Sequence, residues 1–157
     1  MRIIRDSREQ APYLFAGYPV EVETGTLYAG DYSIPGFTDT VAIERKELSD
    51  LLGCLTHDRA RFTRELERLR GYDSAALLIE APFKAIAQGR YRSHMKPEAA
   101  VQSLFSIMQG YRMPLLFADN REAGERYVYD FLRHFVRHAQ ARYKALAMQT
   151  TEPGGDR

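Results

Sequence analysis

Val41-Ala42-Ile43-Glu44-Arg45-Lys46-Glu47-Leu48-Ser49-Asp50 drives an apolar run straight into a cluster of charges. Three consecutive apolar residues are the pattern of a short buried strand, and side chains two apart along a strand share a face. Glu44 and Lys46 therefore project together, while Arg45 points to the opposite side. Upstream, Gly30-Asp31-Tyr32 offers a turn that would bring a second carboxylate beside them. Two carboxylates and an ammonium at one strand end suit a hard cation such as Mg2+, which binds through one or two carboxylates and a substrate phosphate. Such an ion polarises a phosphoryl oxygen and acidifies water, and Lys46 would orient that water or neutralise developing charge. The same residues also admit a plainer reading, with Asp31 a turn residue and Glu44 paired with Lys46 on a solvated strand edge.

Elements alternate outward from this stretch. Arg2–Arg5 reads as a short strand, and Val20–Thr24 alternates apolar and polar with the period of a half-exposed strand. Gly25, Gly30, Pro35 and Gly36 read as turns. Leu48 to about Arg70 is helical in pattern, with a break expected at Thr56-His57-Asp58. Ala75–Ile79 and Leu115–Ala118 read as strands buried on both faces of a parallel sheet. Between them Pro97–Arg112 repeats Val101, Leu104, Phe105 and Met108 along one helical face, with Pro97 in the first turn. From Glu122 to about Leu146 a long helix places Val128, Phe131, Leu132, Phe135, Val136 and Ala139 on one side. Strands alternating with helices imply an α/β layered domain.

The chain has 157 residues, 45% hydrophobic and 27% charged, which fits one packed domain, expected over 1–147, followed by a disordered tail over 148–157. No apolar run approaches the roughly 20 residues that span a bilayer, and the start lacks the long apolar segment of a signal peptide, so a cytoplasmic protein without a membrane partner is expected. The single cysteine, Cys54, excludes an intrachain disulfide and a multi-cysteine zinc site, and reads as a buried apolar residue. His134 and His138 stand one helical turn apart but lack the acid of a zinc-protease helix motif. Net charge is only +1, although arginine outnumbers lysine 18 to 4, and the planar arginine fork suits phosphate.

Taken together, Asp6-Ser7-Arg8-Glu9, Gly30-Asp31-Tyr32, Glu44-Arg45-Lys46 with Asp50 after a three-residue gap, and Arg59-Ala60-Arg61-Phe62 resemble the XPF/Mus81 nuclease family, whose nuclease unit is called the ERCC4 domain. Its signature is G-D, a variable gap, E-R-K, three residues and D, and every letter is present. The resemblance implies a restriction-endonuclease-like core, a central mixed sheet flanked by helices on both faces. It implies a Mg2+-dependent (or Mn2+-dependent) endonuclease cutting DNA near a branch, flap or junction in repair or recombination. Under it Asp31 and Glu44 are metal ligands, Lys46 is the catalytic lysine, and Asp6 is an additional ligand or a carboxylate supporting the ligands. Glu9, Arg45 and Asp50 complete the signature, with Arg45 free to bridge to Asp50. A homodimer or a partner subunit is also implied. No helix-hairpin-helix module is recognisable, which leaves substrate selection open.

Two basic segments are candidates for DNA. Arg59, Arg61 and Arg64 follow the signature, and the acid-free stretch from Ala81 to Pro97 holds Arg90, Arg92 and Lys96 around Tyr91. The competing class is a non-catalytic DNA-binding or scaffold subunit, since family members with decayed sites exist. Decay normally removes acidic or lysine members of the signature, all of which remain. An enzyme acting on RNA or on a free end would use the same chemistry.

Overall fold

The computed structural model describes residues 1–150, the side chain of Thr150 excepted. The chain runs β1 (Arg2–Asp6), β2 (Glu21–Gly25), β3 (Tyr32–Ser33), β4 (Val41–Glu47), α1 (Leu48–Leu55), α2 (Arg59–Arg70), β5 (Ser74–Glu80), α3 (Phe83–Ala87), α4 (Pro97–Tyr111), β6 (Leu115–Phe117) and α5 (Arg121–Thr150). The strands form one six-stranded sheet in the order β2-β1-β3-β4-β5-β6. Pairing is mixed: β3 is antiparallel to β1 and β4, and the β1/β2, β4/β5 and β5/β6 pairs are parallel. This is the mixed α/β architecture expected.

Period-two alternation divides the core. Ala42, Leu77 and Ile79 face one layer, where they meet Leu51, Leu52 and Leu55 of α1, Phe62, Leu66 and Leu69 of α2, and Ala100, Leu104 and Ile107 of α4. Val41, Ile43 and Leu78 face the other, against Val128 and Leu132 of α5 and the aromatic loop residues Tyr13 and Phe15. All of these side chains are buried, and each leucine or isoleucine contributes about 1.5–3 kcal/mol. With both faces covered, β4 and β5 read as near-continuous apolar runs.

Four elements differ from the sequence reading. Strand β3 lies inside the stretch read as turns, because it is only two residues long and framed by Gly30, Pro35 and Gly36; its Tyr32 and Ser33 are nonetheless fully buried. Helix α3 occupies the start of the acid-free stretch from Ala81 to Pro97, where the sequence reading places no helix. On α4 the buried face is Ala100, Leu104 and Ile107, with Val101 packed at its edge, whereas Phe105 and Met108 are exposed, so the core face is rotated from the expected repeat and shares only Leu104 and Val101 with it. Lastly, α5 continues through Thr150, past the expected start of the tail at 148; Ala145, Leu146, Ala147, Met148 and Gln149 are strong helix formers. Residues 151–157 of that expected tail lie outside the described residues.

The expected break between α1 and α2 is present. The Gly53 carbonyl accepts from both Thr56 N–H and Asp58 N–H, and the Thr56 hydroxyl donates to the Leu52 carbonyl at 2.7 Å. This closes α1 and turns α2 back over the C-terminal end of β4.

Candidate active site

Strand alternation sorts the charged end of β4. Glu44 and Lys46 follow Ala42 onto the α1/α2 side, and Arg45 follows Val41 and Ile43 onto the α5 side. A cleft of about 700 Å³ opens at this end, lined by Asp31, Glu44, Lys46, Asp50, Arg61 and Glu65 among others. Both sequence-predicted carboxylates and the lysine are therefore brought together.

Asp31 reaches the cleft through Gly30. That glycine has φ +80°, and a Cβ on it would sit 2.8 Å from the Ala42 Cβ and 3.1 Å from the Ile43 carbonyl oxygen. Only glycine lets the β3 approach lie this close to β4. The Asp31 N–H then donates to the Ile43 carbonyl at 2.8 Å, and Asp31 Oδ2 accepts the Arg45 N–H at 2.7 Å. The turn is tied to β4 through both backbone and side chain.

Lys46 Nζ lies 2.6 Å from Glu44 Oε1 and 3.2 Å from Glu65 Oε2, above the Phe62 ring. Burial alone would lower the lysine pKa, but Glu44 and Glu65 more than offset it and hold the ammonium charged. Burial and the Glu44 charge raise the Asp31 carboxyl well above the ordinary range. Burial raises Glu44 too, with Lys46 opposing it. Two carboxylates with raised pKa values, facing one another beside a single lysine, mark negative charge that the protein leaves incompletely neutralised.

Asp6 lines the same cleft, and its surroundings match the supporting role of the two expected for it. Both Asp6 oxygens are engaged: Oδ1 accepts Arg8 Nε and the Arg8 N–H, each at 2.8 Å, and Oδ2 accepts Arg8 Nη2 at 2.9 Å and the Leu27 N–H at 2.7 Å. Burial would raise Asp6, but these bonds lower it and keep it ionised. Asp6 supports the turn, and the Asp6 N–H donates to the Asp31 carbonyl at 2.8 Å. Among the described residues, no three His, Cys, Asp or Glu side chains are grouped to hold a metal by themselves. Of Asp6, Asp31 and Glu44, the carboxylates left open to the cleft are Asp31 and Glu44, and a pair of this kind fits the chemistry of Mg2+, an ion that keeps several waters and needs only one or two carboxylates.

Arg45 does point away from Lys46, but it does not bridge to Asp50. It forms a fork with Glu80 at 2.8 and 2.9 Å and also meets Glu9 at 3.2 Å and Glu47 at 3.0 Å. Its guanidinium lies over the Tyr13 ring, whose hydroxyl donates to Glu80. Asp50 is instead exposed in the first turn of α1, where a negative charge favours the helix dipole. Partner choice follows the sheet: Glu80 ends β5 in register with Glu47, directly beside Arg45.

The basic candidates divide. Arg61 lines the cleft with Arg64 and Arg68, whereas Arg59 begins α2 outside that lining. Arg90, Arg92 and Lys96 are exposed on the loop after α3, which emerges from the same sheet end but outside the cleft. Cys54 lines the cleft, its thiol pushed up by burial, so it stays protonated. Sequence reading missed Glu65, Arg68, Tyr28 and Glu80 as members of the site and its support. Glu65 and Arg68 are three residues apart, next to the apolar positions Phe62, Leu66 and Leu69, a spacing that could have placed them on the cleft wall.

The ERCC4 domain model matches residues 5–131. The chain therefore belongs to the ERCC4 domain family, as its motifs implied. It is 32% identical over 96 residues to the DNA repair endonuclease XPF of Mus musculus and, to the same degree, to that of Cricetulus griseus, covering 59% of this chain. The aligned part is 10% of those relatives' length. XPF from Aeropyrum pernix has the same fold, with TM-score 0.71 at 21% identity over 99% of this chain and 76% of that one. Its complex with DNA gives TM-score 0.68 at 20% identity, again over 99% and 76%. The six-stranded mixed sheet with its helices is thus the restriction-endonuclease-like fold of XPF.

Proposed function

We propose that this chain is a divalent-metal-dependent endonuclease that hydrolyses DNA phosphodiester bonds at branched or flap-like sites in repair or recombination. The observation carrying this reading is the Asp31–Glu44–Lys46 cluster, complete in the cleft at the end of β4 within an ERCC4 domain. Asp31 and Glu44 would hold Mg2+, with Mn2+ able to substitute. When bound, the ion supplies charge neutralisation at the phosphate and an acidified water.

The protein's own residues do the rest. The Arg45 N–H fixes the Asp31 carboxylate, and Glu65 together with Glu44 holds Lys46 against the Phe62 ring. Held charged between Glu44 and Glu65, Lys46 Nζ would serve as a fixed cationic donor to a phosphate oxygen. Arg61 and Arg64 on α2 are placed to neutralise flanking phosphates. A homodimer or partner subunit and a cytoplasmic setting belong to the same proposal. No helix among the described residues is long and apolar enough to cross a membrane.

The test is cleavage of labelled duplex, flap, fork and four-way-junction DNA with Mg2+, Mn2+ or EDTA. Cleavage with either ion, strongest on branched substrates and absent in EDTA, is expected. Full cleavage in EDTA would reject the metal dependence.

A further inference from the structure

We propose that Tyr28 is a base-stacking residue that selects DNA with an unpaired nucleotide within a few steps of the scissile phosphate; this rests on the nuclease reading above. Tyr28 stands on the rim of the cleft and is 72% exposed, so its ring is open to a ligand. The backbone carrying it is held firmly. Its neighbour Leu27 is buried, donates its N–H to Asp6 Oδ2 at 2.7 Å, and accepts Arg8 Nη2 on its carbonyl at 2.7 Å. On the other side Ala29 is buried and Gly30 is locked against β4. An exposed ring on a fixed backbone is presented to a ligand at little ordering cost.

Location and surroundings define that ligand. Tyr28 precedes Asp31 by three residues, so its Cα lies within about 11 Å of the Cα of the residue whose carboxylate marks the reaction centre. Along a strand with about 3.4 Å per base step, that is within about three steps of the scissile phosphate. The Arg68 guanidinium lies 5.4 Å from the Tyr28 ring centre, and Arg64 and Arg61 continue the basic wall toward Glu65. A π-surface capped by a cation, beside arginines and next to a phosphate-handling site, matches a nucleobase with its backbone phosphates. A paired base is already stacked inside its duplex, so the ledge favours an unpaired one.

The experiment uses the whole chain in EDTA, so that binding is read without cleavage. The probes are a blunt duplex and a forked duplex carrying 2-aminopurine at the first unpaired position. Wild type and Tyr28→Phe should quench 2-aminopurine and prefer the fork. Tyr28→Ala should lose the quenching and bind the fork about 5- to 150-fold more weakly, the range for one stacked base, with unchanged affinity for the blunt duplex. An unchanged thermal transition is expected, because the side chain is outside the core. Equal loss on both probes, or unchanged fork binding and quenching in Tyr28→Ala, would overturn the proposal. Wild-type cleavage with Mg2+ separates the two readings: a cleaving wild type with an unaffected Tyr28→Ala sinks only the stacking ledge. Absence of DNA binding by wild type would overturn both.

Discussion

The backbone N–H of Arg45 donates to the carboxylate of Asp31 at 2.7 Å, joining the two halves of the family signature across the open end of the antiparallel β3/β4 pair. Any residue except proline would donate that bond, and what arginine itself adds lies on the other side of the sheet, where its side chain points. The guanidinium is fixed by Glu80, Glu9 and Glu47, and its peptide in turn aims Asp31 at Glu44.

Removing the guanidinium should therefore cost stability as well as activity. Arg45→Met leaves Glu80 and Glu9 partly buried without their partner, and about 3–5 kcal/mol of stability should be lost in urea denaturation. The pH dependence follows from Glu80. Burial would raise its carboxyl, but Arg45 and Tyr13 hold it below the ordinary value. A depressed carboxylate contributes stability that is present above its unfolded pKa and lost as pH falls through its folded one. Glu80→Gln should thus destabilise at neutral pH, and the difference from wild type should shrink in acid. A difference that stays constant down to strongly acidic pH would contradict the assignment.

Gly30→Ala should be more damaging than its size suggests. The added methyl meets the Ala42 Cβ at 2.8 Å on a backbone with φ +80°. A loss of about 1–3 kcal/mol is expected from the strained conformation, with Asp31 displaced and cleavage reduced beyond what the stability change explains. Retained cleavage at saturating metal would show that the Asp31 position tolerates the shift.

Protons should compete with the metal at unusually high pH. Asp31 and Glu44 both have raised carboxyl pKa values, so metal affinity should weaken as pH is lowered through the range above ordinary carboxylates, with proton release on binding. Calorimetric titration of Mn2+ in buffers of different ionisation enthalpy measures both effects. Affinity independent of pH down to the ordinary carboxylate range would argue against this pair as ligands.

The α2 arginines and the α3–α4 loop should separate in salt dependence. Each phosphate contact removed lowers the slope of log affinity against log salt by about 0.9 on duplex DNA. Arg61→Ala/Arg64→Ala should reduce it by nearly two such steps, and Arg90→Ala/Arg92→Ala by less, since these two stand outside the cleft. The reverse order would move the DNA path to the loop.

Much of this was legible in the sequence because it rests on local rules. Alternation alone separated Glu44 and Lys46 from Arg45, and the run Val41–Ile43 identified the strand that carries them. What escaped depended on contacts distant along the chain. Glu80 is 35 residues from Arg45 and reaches it only through the parallel β4/β5 register. Strand β3 is too short to show a period and is defined by its neighbours on both sides. Its place in the order of motifs leaves Asp6 either a further ligand or a supporting carboxylate, and its bonds to Arg8 and the Leu27 N–H, which favour the second, are visible only in three dimensions.

Lys46 should act on turnover and not on affinity. Lys46→Ala should lower the rate at saturating DNA by about 10² or more, the scale of one preorganised donor, with binding little changed. Unchanged turnover would remove it from the chemistry.

The most direct test of the central claim is Asp31→Asn assayed for cleavage and for binding of the same branched DNA in Mg2+. Asparagine keeps an acceptor for the Arg45 N–H at 2.7 Å and removes the charge that would hold the ion. The account predicts that cleavage is abolished while DNA affinity is equal to wild type or tighter. Cleavage at the wild-type rate would contradict it, and loss of binding in step with cleavage would make Asp31 a structural turn residue instead.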